Sequence, residues 1–333
     1  MMLKIINDIH IGVIRGAGTT PESQWNLRQH ILKSFADLLP TEGDVMILGD
    51  LFDTSTIPIH DVLGTYEILN KWLSRGSGSL YLVAGNHDLC KSSNVMSSFQ
   101  LVGKLLEKVF TQRVIVIEKP TLTNYGYVIP HLANQVLFDE ALKAAPKCDI
   151  VFAHCNYDNH FAAQADQSLN LTREQAQALP CRHIVLGHEH QSRVSGKVVI
   201  PGCQIMTSVS DCLGRGQVRS LTLDASLTIN VFPFKDTFLE ADWRELKITD
   251  HKFVRVVGRA TADEATAVVN QIARFRQVSK ALVITNAVQV ISSDDSAVFE
   301  QSLESIQGFS IWNALQEVLP EEDFMKLKGL ADA

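Results

Sequence analysis

The sequence lacks any CxxC pair. Its six cysteines, Cys90, Cys148, Cys155, Cys181, Cys203 and Cys212, are scattered along 333 residues. That spacing argues against a zinc ribbon or a disulfide framework and leaves free thiols, buried or half-buried. No stretch approaches the ~18 consecutive apolar residues that a membrane-spanning helix needs, although 46% of the chain is hydrophobic. A signal-peptide pattern is also missing ahead of the strand-like segment LKIIND, so a cytoplasmic protein without a membrane partner is expected. There are no internal repeats and no low-complexity tract.

Positive charge is in short supply as well, with 30 Lys+Arg against 37 Asp+Glu and a formal net charge of −7. Such a balance ordinarily counts against nucleic acid, because Lys and Arg supply most non-specific affinity for phosphates. The deficit, however, is local. From Ser292 onward there are nine acidic and two basic residues, which leaves 28 of each sign in the first 291. Metal cations at the site would add positive charge where an anionic substrate lies.

What is present is a series of short apolar runs: LKIIND, DVMILGD, SLYLVAGN, RVIVIEK, CDIVFAH and RHIVLGH. Rich in Ile, Val and Leu and closed by polar residues or Gly, they read as buried strands. Helical periodicity between them, over Trp25 to Leu39 and Val62 to Arg75, gives the alternation of an α/β architecture. Lys197 to Ile200, Val218 to Leu223 and Leu227 to Phe232 read as antiparallel strands joined by tight turns, Asp224 to Ser226 being one of them. The length accommodates a large main domain and a smaller appendage. The main domain is expected over residues 1–235. A βαβ unit over 236–291 comprises KFVRVVG, a helix near Asp263 to Phe275, and ALVITN. An acidic helical segment spans 292–333, where Phe309, Ile311, Trp312, Leu315 and Leu319 form an amphipathic stripe, read as intramolecular core before a partner-docking face.

The chemistry-bearing residues fall in order: Asp8-Ile-His10, Gly49-Asp50, Gly85-Asn86-His87-Asp88, His154, and Gly187-His188-Glu189-His190. Each group follows a predicted strand, and the carboxyl edge of an open α/β sheet is where ligands bind. If the backbone is extended, D-x-H and H-x-H each point both side chains to one side. Imidazoles, carboxylates and an Asn carbonyl without thiolate suit manganese, iron or zinc in a catalytic setting. Two metals ~3.5–4 Å apart need a shared carboxylate, and Asp50 is the natural bridge. Gly49, Gly85 and Gly187 are expected where the backbone turns sharply. Each element alone also fits a bland reading, such as a satisfied core histidine; five in order at strand ends do not. Cys155, next to His154, is the rival nucleophile, and a hydrolase with a formed metal pair does not need it.

The series D-x-H, G-D-x-x-D, G-N-H-D, H and G-H-x-H resembles the calcineurin-like metallophosphoesterase superfamily over roughly Met1 to Asp211. The resemblance implies a four-layer sandwich of two mixed β-sheets flanked by helices, with a small α+β capping domain. It implies that Asp8, His10 and His190 hold one metal and Asn86, His154 and His188 the second, with Asp50 shared. His87 would face the substrate as proton donor, and Asp53 and Asp88 would orient the cluster. GDLFDTS followed by Pro58, the PGCQ stretch after GHEH, the appended βαβ unit and the chain's size are similar to SbcD-type DNA repair nucleases, the size being nearest the T-even phage form. Protein phosphatases instead carry G-D-x-V-D-R-G and G-N-H-E. In this chain Ile9 stands where those nucleases have an aromatic and Asn7 where they have Ser. The resemblance implies a manganese-dependent exo- or endonuclease, magnesium, iron and zinc being the alternative ions. It would act on DNA ends as a homodimer with an SbcC-type coiled-coil ATPase. Residues 1–235 would then be catalytic and 236–291 a cap that contacts DNA. From their place in loops near the motif ends, Arg15, Lys91 and Arg193, with Arg28 and Arg215 behind them, are candidate phosphate contacts, and solvated surface charge is the equally weighted bland reading of each. The rival readings are a stand-alone phosphodiesterase or phosphatase for nucleotides and small esters, and a DNA-end-binding scaffold with a degenerate site.

Overall fold

A computed structural model of the chain describes residues 2–17, 20–90, 92, 94–159, 168–213, 217–224, 227–233 and 238–291. Two six-stranded mixed sheets dominate it. The first is built from β1 (Leu3–Ile6), β2 (Asp44–Leu48), β3 (Leu80–Val83) and β4 (Val114–Ile117), which run parallel in that order. The second contains β5 (Thr121–Thr123), β6 (Gly126–Ile129), β7 (Ile150–His154), β10 (His183–Gly187), β11 (Arg193–Ser195) and β12 (Val198–Ile200), in the order β11-β12-β10-β7-β6-β5. Its four central strands are parallel and both edges antiparallel. The small pair β8 (Asn156–Tyr157) and β9 (Asn170–Leu171) follows β7. The first sheet is completed by β13 (Gln217–Leu223), antiparallel to β1, and β14 (Leu227–Pro233), antiparallel to β13. The residues Val198–Ile200 therefore do not join the β13–β14 hairpin. They lie in the other sheet beside β10, a pairing that a local reading of neighbouring apolar runs does not show.

Strand periodicity explains the layers. In β2, Val45 and Ile47 face one way and pack with Phe35, Leu69 and Phe99, while Met46 and Leu48 face the other and pack with Ile150, Phe152 and Val185 of the second sheet. The outer face of the first sheet is covered by α1 (Pro21–Leu38), α2 (Ile59–Arg75) and α3 (Ser98–Val109). The second is covered by α4 (Gln135–Lys143) and α5 (Arg173–Ala178), through Phe138, Leu142 and Ala176. The result is an α/β/β/α sandwich, the expected fold. Each fully buried Ile, Leu or Phe contributes about 1.5–3 kcal/mol relative to exposure, so strands buried on both faces are hydrophobic throughout. Helices α1, α3 and α5 begin at side-chain caps: Thr20 accepts from Ser23 N ahead of Pro21, Ser97 and Gln100 form a capping box, and so do Thr172 and Gln175.

The described residues divide into two compact units. The larger takes those up to Glu240 together with Ile248–Arg255 and Val278–Thr285. Phe253 and Val283 are buried in its first-sheet core, which explains why those segments belong there. Residues 238–240, 253–255 and 283–285 lie on a three-stranded sheet formed by β15 (Phe238–Asp242), β16 (Phe253–Val257) and β18 (Val283–Asn286). The smaller unit comprises Ala241–Lys247, Val256–Gln277 and 286–291. It pairs β17 (Arg259–Thr261) in parallel with β19 (Gln289–Ile291). It also carries most of α6 (Ala265–Val278), whose Val268, Ile272 and Phe275 are buried. No described helix is long and apolar enough to cross a membrane. Asp224 belongs to the described residues, but the rest of the β13–β14 turn, Lys91, Arg215 and the acidic segment 292–333 with its apolar stripe lie outside them.

Candidate metal centre

Because β1, β2 and β3 are parallel, the chain leaves all three at one edge, and Asp8, Asp50, Asn86 and His87 follow within a few residues. The parallel pair β7 and β10 delivers His154 and His188. The backbone there is not extended. Asp8, His10, Asp50 and His188 have φ of 52°, 51°, 50° and 91°, the left-handed region that L-residues avoid and that concentrates at functional sites. The extended D-x-H and H-x-H geometry expected from spacing is thus corrected. Asp8 and His10 are instead held by ladder-like bonds to the loop after β2, with Ile9 N and His10 N both donating to the Asp50 carbonyl at 2.9 and 3.0 Å.

The side chains converge in two sets that share Asp50. In one, Asp8, His10 and His190 offer ligand atoms within 4.8 Å of one another, and the His10 and His190 Nε2 atoms are 3.1 Å apart. In the other, Asn86 Oδ1 lies 3.0 Å from both His154 Nε2 and His188 Nδ1. Asp50 Oδ2 stands 3.4 Å from His154 Nε2 and 3.8 Å from His10 Nε2, between the sets. Metal–ligand bonds of about 2.0–2.2 Å put adjacent donors roughly 3–4 Å apart, so the spacing fits one cation in each set.

The remaining imidazole nitrogens reinforce that fit, since metal-binding histidines have the second ring nitrogen tied elsewhere. His154 Nδ1 donates to the Leu48 carbonyl at 3.0 Å, and His190 Nδ1 donates to Asp211 Oδ1 at 2.7 Å. His10 Nδ1 is buried without a satisfactory partner, 3.5 Å from Asp53. His87 belongs to neither set in the same manner. Its N–H donates to Asp50 Oδ1 at 3.0 Å and its Nδ1 to the Asp53 carbonyl at 2.6 Å, which leaves Nε2 as its reactive nitrogen.

The sequence reading did not single out Asp211, whose Oδ2 accepts from Thr207 N, Thr207 Oγ1 and Ser208 N. Burial would raise its pKa, but the His190 hydrogen bond and charge, with the Thr207 donors, hold it well below the usual carboxylate range. Asp211→Asn is expected to weaken divalent-metal affinity about 10–100-fold, the usual effect of losing a group that orients a ligand. Calorimetric titration checks this, and an unchanged affinity would remove Asp211 from the account. His131, at the carboxyl edge of β6, was also missed; the strand-end rule applied to YVIPH would have found it. Its N–H donates to Ala84 O at 2.8 Å. Burial and the neighbouring His154 push its pKa down to about 4, so it is neutral. Asn7, the departure in the first motif, is paired: its N–H donates to Gln204 Oε1 at 3.0 Å, Gln204 Nε2 returns a bond at 3.1 Å, and its amide holds Asp8.

Of the other predicted residues, Asp88 is buried and accepts from Gly85 N, Leu51 N and Phe52 N, knitting the β2 and β3 loops together. Burial and the Asp50 charge push its pKa up to about 7. Asp53 pairs with Arg15 at 2.7 Å, placing that cation at the rim. The Arg193 guanidinium is engaged by both Glu189 oxygens and the Tyr157 carbonyl, and Arg28 lies on α1, 3.6 Å from buried Asp61. Cys155 is buried, and burial together with the Glu189 charge drives its thiol pKa far above the ordinary range, so it offers no nucleophile. Gly49 has φ +87°, and a Cβ there would overlap the His154 ring; at Gly85 it would overlap Asp50. Gly49 is thus a turn glycine, while Gly85 and Gly187 serve close approach.

In the metal-free protein, burial favours neutral His154, but the Asp50 carboxylate outweighs it and the pKa rises to about 9. Burial likewise opposes protonation of His10, while the nearby Asp53, Asp50 and Asp8 carboxylates raise its pKa overall. A metal takes the neutral imidazole, so binding below about pH 9 expels a proton. Metal affinity should therefore increase from about pH 6 to about pH 8, by up to about tenfold per unit for each proton released. A flat affinity over that range would show that these imidazoles are not ligands.

The calcineurin-like phosphoesterase family model matches residues 1–192. Among curated proteins no match was found. Family chemistry depends on divalent metals, and the clustered His, Asp and Asn donors meet that requirement. With the match extending over more than half the sequence, the chain belongs to the calcineurin-like phosphoesterases, a family of metal-dependent hydrolases.

Proposed function

We propose that the protein is a two-metal phosphodiesterase that processes DNA ends as a homodimer together with an SbcC-type coiled-coil ATPase. The observation that carries the two-metal reading is the position of Asp50 Oδ2 between two complete donor sets, with His87 hydrogen-bonded to the same carboxylate. Asp8, His10 and His190 would hold one ion, Asn86, His154 and His188 the other, with Asp50 shared. The mixture of imidazole, carboxylate and amide donors suits manganese. When bound, the two cations lower the pKa of the attacking water and offset charge on the non-bridging phosphate oxygens.

The chain's own groups do the rest. His87, with Nδ1 fixed on the Asp53 carbonyl, gives a proton from Nε2 to the oxygen that leaves phosphorus, so the product departs as a neutral hydroxyl. Arg15, mostly exposed beside Asp53, contacts a substrate phosphate. Support for DNA comes from the GDLFDTS context with Pro58, the chain order strand, helix, strand over β16, α6 and β18, and the chain's size; the even charge balance of the first 291 residues only removes an objection.

The test is cleavage of linear duplex and hairpin DNA with manganese and the ATPase partner supplied, beside bis(p-nitrophenyl) phosphate. DNA cleavage is expected. Turnover of the small ester alone would make this a stand-alone phosphodiesterase, and turnover of neither would favour a scaffold.

A further inference from the structure

We propose that Cys148 and Cys181 form a redox site that closes to a reversible disulfide and braces the strand pair β7 and β10. The register of that pair runs from Ile150 opposite His183 to His154 opposite Gly187, and carried two residues back it sets Cys148 opposite Cys181. Backbone hydrogen bonds on either side of the two cysteines hold the juxtaposition: Cys148 N donates to the Pro180 carbonyl at 3.4 Å, and Arg182 N to the Asp149 carbonyl at 2.9 Å. Neighbouring strands lie about 4.7–4.9 Å apart, inside the Cα separation of about 4.4–6.8 Å that a disulfide spans.

The two side chains also share a face. The chain bends at Asp149 and again at Arg182, and both cysteines pack, half-buried, against the core under α4 and α5. Burial raises the pKa of the Cys181 thiol, the Lys197 ammonium opposes that rise, and a Cys148 thiolate adds to it, so the two sulfurs lie within range of each other's charge. The same ammonium donates to the Leu179 carbonyl at 2.7 Å and the Cys181 carbonyl at 3.3 Å. A fixed cation thus stands beside the pair and favours the thiolate from which exchange proceeds. Closure takes a small disulfide, such as glutathione disulfide, as oxidant. One cysteine thiolate attacks it and expels a glutathione thiolate; the second attacks the protein sulfur of the mixed disulfide and expels the other glutathione. Two protein thiols and one glutathione disulfide become one protein disulfide and two glutathione thiols. The link lies at the opposite end of β7 from His154, about 20 Å away at about 3.3 Å per residue, so it braces the strands without touching a metal donor.

The full-length protein is incubated with glutathione disulfide, remaining thiols are blocked with iodoacetamide, and the peptides are mapped by mass spectrometry without reduction. A link between Cys148 and Cys181 of one chain, reversed by dithiothreitol, is expected in most molecules, while half-buried Cys90 carries at most a glutathione adduct. Because the link closes a long loop of the unfolded chain, calorimetry of the oxidised protein should show a Tm at least about 5 °C above that of the reduced protein. Cys148→Ser and Cys181→Ser should each lose both the link and the rise in Tm. Should either variant misfold, the wild-type peptide map and calorimetry decide alone. Glutathione adducts on Cys148 and Cys181 without a link, or a link only between chains, overturn the proposal. A link formed with no rise in Tm overturns the brace.

Discussion

Asp50→Ala is expected to cripple metal-supported hydrolysis and to leave the protein unable to hold either of the two proposed cations. Asp50 lies within 4 Å of imidazoles from both sets, and its other oxygen accepts from His87 N. On the proposed two-metal reading its removal takes a ligand from each site, and it also takes away the acceptor of the His87 N–H. The metals contribute several kcal/mol of transition-state stabilisation, so at about 1.4 kcal/mol per decade the rate falls roughly 10³-fold or more. Steady-state turnover of a chromogenic phosphodiester, with metal content measured on the same sample, checks both halves. The burial of Asp50 also matters. Its carboxyl is held far below the usual range because His154 and His10 outweigh the burial that would raise it, so the wild-type carboxylate stays ionised. Retention of two metals by Asp50→Ala would remove it from the bridging position.

His87→Ala gives a different signature. Loss of a positioned general acid costs about 10²–10⁴-fold in rate, yet the alanine protein should retain both metals, because the His87 side chain makes its hydrogen bond to the Asp53 carbonyl and not to a ligand side chain. The loss should shrink for a substrate with a good leaving group such as p-nitrophenolate, which needs little protonation. Equal losses for good and poor leaving groups would instead assign His87 to phosphate binding. His10 and His87 rings lie 5.0 Å apart, edge to face, so some repacking accompanies the change. Metal content therefore has to be measured alongside rate.

Much of the fold was legible because strands buried on both faces must be continuously apolar. The runs ending at Ile6, Leu48, Val83, His154 and Gly187 are strands, and the chemistry follows each within a few residues. The ligand sets could be anticipated for the same reason, since parallel strands put their ends on one edge. The route by which Asp8 and His10 reach one point was not legible. Spacing of two fits an extended strand, but the positive φ of both residues comes from bonds to the Asp50 loop, a tertiary contact. Val198–Ile200 was misplaced because a three-residue apolar run does not say which sheet it joins. The starts of α3 and α5 were missed despite Ser97-x-x-Gln100 and Thr172-x-x-Gln175, a local signal that was available. Asp211 had none: it lies 21 residues beyond His190, and only folding brings the two together.

The most direct test of the two-metal centre is ion stoichiometry in three proteins, measured by elemental analysis after manganese loading and desalting. Wild type should carry two ions per chain. His154→Ala and His190→Ala should each fall to one or fewer, because each removes a donor from a different set. Two ions retained in both variants, with the rate of wild type, would contradict the shared-carboxylate centre outright.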